Sequence, residues 1–205
     1  MLKIGSFKRW TIYLYDSRSF NHIDINYWTL LGGYNLIRTI VLTTQRQLNK
    51  IGIPLVHTKF LICDLMEETN NITGGGIGGE FDKKKHNISI NQSEINISTF
   101  SHEYAHYIWQ LLPKYKKKLV IDYYEDIIMD EALCLFQTYA NINNLNKPSG
   151  SHMRKKLASK LKLPNSYCTA NYHEFWATII EKFVANPKKF RKKYPDLRKL
   201  VLDVL

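Results

Sequence analysis

The sequence predicts an α+β fold in one domain, with a small twisted mixed sheet and a backing helix in residues 1–112 and a helical part in residues 113–205. Short segments rich in β-branched and aromatic residues lie in the first part, whereas longer segments with apolar residues at helical spacing dominate the second. A hydrophobic content of 44% in 205 residues is enough for one buried core, so we expect a single domain.

Four segments of the first part carry the predicted elements. Residues 9–15 and 53–65 combine apolar, β-branched and aromatic side chains, and residues 87–91 alternate apolar and polar ones, so all three are predicted strands. Residues 27–48 carry apolar side chains at helical spacing. They predict a long helix, which a pair of glycines weakens but does not end.

A five-residue motif, His102-Glu103-Tyr104-Ala105-His106, follows the last predicted strand and fits the pattern H-E-x-x-H. On a helix, residues four apart lie on one face, so both imidazoles can reach a single metal ion. Glu103 lies at the edge of that face, where its carboxylate can reach a water at the metal without binding the metal itself. The motif therefore predicts a site for one zinc ion.

The motif lies in a predicted helix of about three to four turns. Ser98, Thr99 and Ser101 are candidate N-caps, and Pro113 ends the segment. The two histidines and the glutamate of the motif lie off the main apolar face. That face comprises Phe100, Tyr104, Tyr107, Ile108, Leu111 and Leu112.

A glycine-rich segment, residues 73–81, precedes the last predicted strand. It is not a phosphate-binding loop, because neither a Lys-Ser or Lys-Thr pair nor a helix start follows it. The order strand, helix, strand, glycine-rich segment, strand and motif helix is typical of zincin metallopeptidases. We therefore expect this segment at the sheet edge, where glycines let an extended protein or peptide substrate approach and pair with the main chain.

Two glutamates compete to be the third ligand that a catalytic zinc site usually has. Glu131 lies 25 residues after His106, in a predicted helix over about residues 118–141, and loosely resembles the ligand of thermolysin-like gluzincins. It falls inside the apolar face of that helix, where a carboxylate needs a partner. The face comprises Val120, Tyr124, Ile127, Ile128, Leu135 and Tyr139. Glu174 is the other candidate.

The segment around Glu174 resembles a known family. Tyr167 precedes Glu174 by seven residues, and Phe-Trp-Ala follows the glutamate. This pattern is similar to that of the catalytic domain of anthrax lethal factor and the related Pro-Pro endopeptidases. The resemblance covers the motif helix and most of the last 40 residues, and more faintly the glycine-rich edge. The chain differs from the family at Ala105, where Gly is usual, and at Thr178, where Glu is common.

The resemblance implies a zinc-dependent metalloendopeptidase that uses one zinc ion. His102, His106 and Glu174 would bind the ion. Glu103 would be the general base, and Tyr167 would donate its phenolic proton to the developing oxyanion. Two alternatives stay open: a thermolysin-like enzyme with Glu131 as the third ligand, and a catalytically inactive basic module of the same fold that docks on nucleic acid or protein.

The net charge of +11 is unevenly distributed. Residues 1–100 carry 11 basic and 8 acidic side chains, whereas residues 101–205 carry 18 and 10. The basic clusters are residues 83–85, 114–118, 154–162 and 188–199. We interpret them as solvated faces. Nucleic acid is a possible but not favoured partner, because no zinc-finger spacing, RNA-binding signature or phosphate loop accompanies the clusters.

The sequence also bears on the compartment. It contains no apolar run of membrane-spanning length and no recognisable signal peptide, so we expect no membrane span and a cytoplasmic location. The three cysteines, Cys63, Cys134 and Cys168, are scattered and odd in number. We expect them to be buried free thiols, as in a reducing compartment.

Overall fold

The computed structural model has the α+β architecture that the sequence predicts. It describes residues 2–14, 33–63, 79–82, 87–91, 94–140 and 150–205. The described part comprises one five-stranded mixed sheet together with its helices. Every regular element described after residue 113 is helical.

The five strands lie in the order β1-β2-β3-β5-β4. Their bounds are Leu2–Phe7 for β1, Trp10–Leu14 for β2, Thr58–Cys63 for β3, Gly79–Asp82 for β4 and Asn87–Asn91 for β5. Strands β2, β3 and β5 run parallel at the centre, while β1 and β4 pair antiparallel at the two sides. Strand β4 is therefore an edge strand of the described sheet, as expected for the end of the glycine-rich segment. Residues 73–78 of that segment lie outside the described part.

All three predicted strands are found, two of them with shifted ends. Residues 87–91 form β5 with the predicted bounds. The strand predicted over residues 53–65 begins only at Thr58. Pro54 has no N–H to give to a strand ladder. The Pro54 carbonyl accepts a hydrogen bond from the Tyr104 hydroxyl, to which the Val56 N–H donates, each at 2.8 Å. The Tyr104 side chain of the motif helix thus satisfies backbone groups of Pro54 and Val56 that a neighbouring strand would otherwise bind.

Strand β1 was not predicted from the sequence. Its pairing with β2 shifts register between Lys3 and Gly5, and this irregularity interrupts the two-residue alternation that identifies a strand. Lys8 makes the tight connection to β2 with a positive φ of 51°. Arg9, which was predicted to begin the next strand, lies in this turn.

Eight α-helices are described. Their bounds are Gly33–Lys50 for α1, Ile97–Leu111 for α2, Lys114–Tyr123 for α3, Asp130–Ala140 for α4, Gly150–Lys160 for α5, Tyr172–Ala185 for α6, Pro187–Lys193 for α7 and Pro195–Val204 for α8. Helix α1 corresponds to the helix predicted over residues 27–48, of which residues 27–32 lie outside the described part. Helix α2 carries the H-E-x-x-H motif.

The helix predicted over residues 118–141 starts earlier and is not uniform. A π-helical segment, Tyr124–Met129, connects α3 to α4 without a break. A π-helical turn contains more residues than an α-helical one, so the apolar face rotates away from its 3.6-residue period. Ile127, predicted on the buried face, is 41% exposed, and that prediction was wrong. The predicted core positions that are buried are Val120, Tyr124 and Ile128.

An aromatic cluster holds the motif helix against the sheet. The Trp10 ring lies 4.7 Å from Phe60 and 4.8 Å from Tyr104, and Phe60 lies 5.0 Å from Phe100, all between ring centroids. All four side chains are fully buried. Because aromatic pairs add to the free energy of burial, this cluster fixes the face that α2 turns to the sheet. The opposite face, with the motif's histidines, is then turned to α6.

Helices α2 and α6 approach closely where the motif has a small residue. Ala105 is buried, and its carbonyl accepts a hydrogen bond of 3.2 Å from the Trp176 indole N–H. Trp176 is also fully buried. This contact sets the position of α6 along α2, and Glu174 lies two residues before Trp176 in the first turn of α6.

Two further expectations can be compared with the described residues. No helix among them is long and apolar enough to cross a membrane. Cys168 is a buried free thiol as expected, and burial raises its pKa to about 12, so it is a poor nucleophile. Cys134 is exposed, and the expectation of burial was wrong there.

Candidate metal centre

The motif helix begins earlier than its serines and threonine suggested. Asn96 is the N-cap, and its side-chain oxygen accepts a hydrogen bond of 2.9 Å from the Thr99 N–H. Ser101, one of the three predicted caps, instead donates to the Ile97 carbonyl inside the helix. The earlier start places the motif in the second and third turns, where backbone hydrogen bonds hold both histidines in helical geometry.

Three side chains from two helices converge on one point. The Nε2 atoms of His102 and His106 lie 3.3 Å apart. Glu174 of α6 directs Oε2 to His102 Nε2 at 3.2 Å and Oε1 to His106 Nε2 at 3.5 Å. One potential ligand atom from each of these residues lies within 4.8 Å of the others. A group of two imidazoles and a carboxylate in this arrangement can bind a metal ion.

The geometry can be compared with that of a tetrahedral metal site. Ligand bonds of about 2.0–2.1 Å in a tetrahedron separate neighbouring ligand atoms by about 3.3 Å. The Nε2 atoms of His102 and His106 are 3.3 Å apart, and they lie 3.2 Å and 3.5 Å from the two different carboxylate oxygens of Glu174. The three residues therefore fit a small tetrahedrally coordinated cation with little movement.

Helix capping places Glu174 at this point. The Asn171 side-chain oxygen accepts hydrogen bonds from the backbone N–H groups of His173 and Glu174, at 2.9 and 3.0 Å. Asn171 thereby starts α6 immediately before Glu174. The carboxylate projects from the first turn, and its side chain is 18% exposed.

The predicted general base, Glu103, is buried although it lies off the apolar face of α2; it is only 7% exposed. Strand β4 accounts for the difference. A Cβ atom built on Gly79 would lie 2.6 Å from Glu103 Cγ and 3.0 Å from its Cδ, closer than such atoms pack. Gly79, the first residue of β4, therefore lets the edge strand cover the Glu103 side chain.

We expect Gly79→Ala to destabilise the protein by about 1–3 kcal/mol, because the added methyl group overpacks a closed contact. Urea unfolding would measure the loss. In a Glu103→Ala background the loss should shrink by about 1 kcal/mol or more, since the Glu103 atoms that the methyl group meets are gone. Gly150→Ala is the matched control, because its nearest neighbour would be 3.8 Å away. An equal loss with and without the Glu103 side chain would mean that the Ser89 carbonyl oxygen, 3.0 Å from the same Cβ position, resists the methyl group and that Glu103 does not.

A second glutamate, which the sequence analysis did not identify, contacts the site. Glu181 Oε2 accepts a hydrogen bond of 3.2 Å from Nδ1 of His102, and its Oε1 accepts one of 2.6 Å from the Lys182 ammonium. A proton held on Nδ1 leaves the Nε2 lone pair of His102 free for a metal. Glu181 could have been predicted from its spacing in the sequence. It follows Glu174 by seven residues, which is two turns along the same face of α6.

These contacts perturb the acid–base properties of the cluster. Burial alone would lower the pKa of His102, but hydrogen bonds to Glu174 and Glu181 outweigh it and raise that pKa to about 10. Burial alone would raise the pKa of Glu174, but hydrogen bonds with His102 and His106 outweigh it and lower that pKa to about 2. The two carboxylates therefore stabilise a protonated His102, and a metal cation would compete with this proton for the site.

Removing the charge of Glu181 is expected to weaken metal binding. Glu181→Gln keeps an acceptor for the His102 Nδ1–H but loses the anion, and we expect about a 10- to 100-fold lower zinc affinity. Competition with a chromophoric chelator measures it. Glu125→Gln, at an exposed position of the π-helical segment, is the control. An affinity of Glu181→Gln within twofold of the parent protein would contradict the assigned contact.

Tyr167 also lies at the site. It belongs to a 3₁₀ turn, Ser166–Thr169, which the Asn165 side chain caps by accepting from the Tyr167 and Cys168 N–H groups. The Tyr167 ring centroid is 6.0 Å from that of His102. The seven-residue spacing from Tyr167 to Glu174 thus covers the turn and the start of α6, and it places the tyrosine ring close to His102.

The rival ligand Glu131 lies elsewhere. It is in the first turn of α4 and forms an ion pair with Lys160 at the end of α5. It is not a member of the cluster of His102, His106 and Glu174. Glu131 was expected to need a partner for its charge on the apolar helix face, and that partner is Lys160.

Comparison with known proteins assigns the chain to no family: no protein-family model matches it, and no curated protein is significantly similar to it in sequence. What the site can do chemically follows from the residues just described. They offer a place for one cation, a buried carboxylate on the next residue of the helix and a phenol close to the first histidine.

Proposed function

We propose that this protein is a zinc-dependent metalloendopeptidase of the zincin type, similar to the catalytic domain of anthrax lethal factor. One observation carries the proposal: His102, His106 and Glu174 from two helices direct their ligand atoms to one point, with separations of 3.2 to 3.5 Å. A chance pair of histidines on a core helix would not meet a carboxylate from a residue 68 positions further along the chain.

The donor set favours zinc. Two neutral imidazoles and one carboxylate suit zinc, and a catalytic zinc site keeps a fourth position for water or substrate. When bound, zinc supplies a Lewis acid that polarises the scissile carbonyl and acidifies a water. The carboxylate of Glu181 accepts the hydrogen bond from His102 Nδ1, so that Nε2 would be the nitrogen that binds the ion.

Glu103 is the general base in this proposal. Glu103 follows His102 directly in the helix, so its side chain leaves the helix next to the ligands but in a different direction. The close contact with Gly79 restricts the movement of this side chain. It takes the proton of the attacking water and passes it to the leaving amine. Because β4 covers one side of Glu103, few rotamers of this side chain are available. Less conformational entropy is then lost when its carboxylate is positioned for the reaction.

Tyr167 is the proposed oxyanion donor. Its ring lies beside His102, and its phenol can donate a hydrogen bond to the negative oxygen that develops on the attacked carbonyl. The turn that Asn165 caps before α6 holds the backbone of Tyr167 in place. We expect this donor to act on the transition state more than on the bound substrate.

The proposed substrate is a protein or peptide in extended form. Strand β4 is an edge strand of the described sheet, antiparallel to β5, and its first residue contacts the general base. A peptide that adds to this edge through main-chain hydrogen bonds would bring its scissile bond past Glu103. Edge strands offer free N–H and C=O groups for such an addition.

Metal removal tests the proposal. A zinc-loaded sample should cleave members of a fluorogenic library of extended peptides, lose this activity on dialysis against a chelator, and regain it with about one equivalent of zinc. Mass spectrometry of the products would locate the cleaved bonds. The proposal fails if no peptide is cleaved by the zinc-loaded protein, or if cleavage persists after the metal has been removed.

A further inference from the structure

Basic side chains from distant parts of the chain meet around helix α7. Two cavities adjoin this helix: one of about 740 Å³ and one of about 360 Å³. The larger lies against Pro187, Lys188 and Arg191 of α7, and the smaller against Lys193 at its end. Neither cavity is lined by a residue of the metal centre.

The charged lining residues of both cavities are all cationic. We call them the α7 basic face: Lys50, Lys188, Arg191 and Arg198 in the larger cavity, and Lys155, Lys162 and Lys193 in the smaller. Among the residues that the structure describes, no aspartate or glutamate lines either cavity. None of the seven cations forms an ion pair with a carboxylate of the described residues.

This concentration of charge is a tertiary feature. Lys50 ends helix α1, and Lys155 lies in α5, yet both come to the surroundings of α7. Like charges held together without counter-charges repel one another, and this electrostatic repulsion destabilises the folded protein. A bound polyanion would neutralise the charges and remove the repulsion. The seven residues of α7 span about 10 Å. Arg191 and Lys193 lie about 200° apart around the helix axis, so the α7 basic face curves around this short helix from one cavity to the other.

We propose that the α7 basic face binds the phosphate backbone of a nucleic acid. Five of its seven cations are lysines, a residue type that is depleted in protein–protein interfaces and common in phosphate contacts. Phe183, the aromatic residue in the lining of the larger cavity, is only 5% exposed and has no surface for base stacking. Because phosphate contacts carry no base information, the proposed binding is independent of base sequence.

The α7 basic face is separate from the proposed peptidase site. Phe183 lies nine residues after Glu174 on helix α6, a distance of about 14 Å along the helix. The smaller cavity reaches Ser166, next to Tyr167, but none of His102, His106 and Glu174 lines either cavity. The proposal does not depend on peptidase activity, and the following test does not measure that activity.

Fluorescence anisotropy with labelled 20-mer single-stranded and duplex oligonucleotides tests the proposal at several salt concentrations. One variant replaces Lys155, Lys188, Arg191 and Lys193 by Gln. The control variant replaces Lys3, Arg38, Lys59 and Lys114 by Gln. Both remove three lysines and one arginine at exposed positions, and both lower the net charge equally. Circular dichroism and thermal melting check that both variants fold.

We expect the parent protein to bind with an affinity that falls steeply with salt. The α7 variant should bind at least tenfold more weakly, and its salt dependence should be shallower by about 0.7 for each single-strand phosphate that it no longer neutralises. The control variant should stay within about threefold. Equal losses of affinity in the two variants would mean that net charge alone causes binding, and the proposal would be wrong. Tighter binding of an oligo-glutamate peptide of equal charge would overturn it in favour of an acidic protein partner.

Discussion

Glu103→Gln is expected to abolish peptide hydrolysis while leaving zinc binding intact. The amide has nearly the shape of the carboxylate, so the close contact with Gly79 is preserved. It cannot accept the proton of the attacking water, and a general base typically contributes about 10²- to 10⁴-fold to the rate. We therefore expect kcat to fall by at least this factor. Initial rates on a cleaved library peptide and metal content after gel filtration are the two measurements.

The matched control is Glu131→Gln, which makes the same chemical change in the ion pair with Lys160. It should retain both zinc and activity, because Glu131 lies outside the ligand cluster. Full activity of Glu103→Gln at normal zinc content would remove Glu103 from the mechanism. Such a result, with cleavage still dependent on zinc, would direct the search for the base to another residue.

Glu174→Gln is expected to lose zinc affinity, and with it activity. An amide oxygen carries no charge and cannot share a cation with His102 and His106 as the carboxylate does. The loss should exceed the roughly 10- to 100-fold expected for Glu181, which orients a ligand without binding the metal. Competition with a chelator would rank the three variants Glu174→Gln, Glu181→Gln and Glu131→Gln.

The order of these effects separates the two candidate ligands. Unchanged zinc affinity in Glu174→Gln together with lost affinity in Glu131→Gln would overturn the ligand set and favour the thermolysin-like alternative. Circular dichroism should find the helix content of Glu174→Gln unchanged, since the N-cap Asn171 and the buried Trp176 still hold α6. A folded variant without zinc is therefore the expected product.

Much of the fold could be predicted because helix and strand periods are local. Strand β5 has the predicted bounds, and the motif helix ends before Pro113 as expected. The failures have particular causes. Strand β1 was not recognised because its pairing with β2 is irregular. The residues around Pro54 do not form a strand because they bind the Tyr104 hydroxyl. The π-helical segment rotated Ile127 into solvent.

For the candidate site, too, the features set by local spacing were predicted from it, and those set by tertiary packing were not. The four-residue spacing of His102 and His106 is a local property, so the motif predicted that both imidazoles face one point. Glu174 was favoured by family resemblance, and a choice between it and Glu131 required the packing of α6 on α2. Glu181 and Gly79 were missed, because their contacts with His102 and Glu103 join elements far apart in sequence.

By itself, the sequence determined the α+β class, the motif helix and a pair of histidines on one of its faces, since each follows from spacing over a few residues. Only the tertiary structure decided which carboxylate meets the histidines, what covers Glu103 and where the basic clusters converge. A hydrogen bond between Trp176 and the Ala105 carbonyl sets α6 against α2. A glycine at the start of β4 lets the sheet edge reach Glu103. Both are close contacts between segments distant in the chain, and no local pattern encodes them.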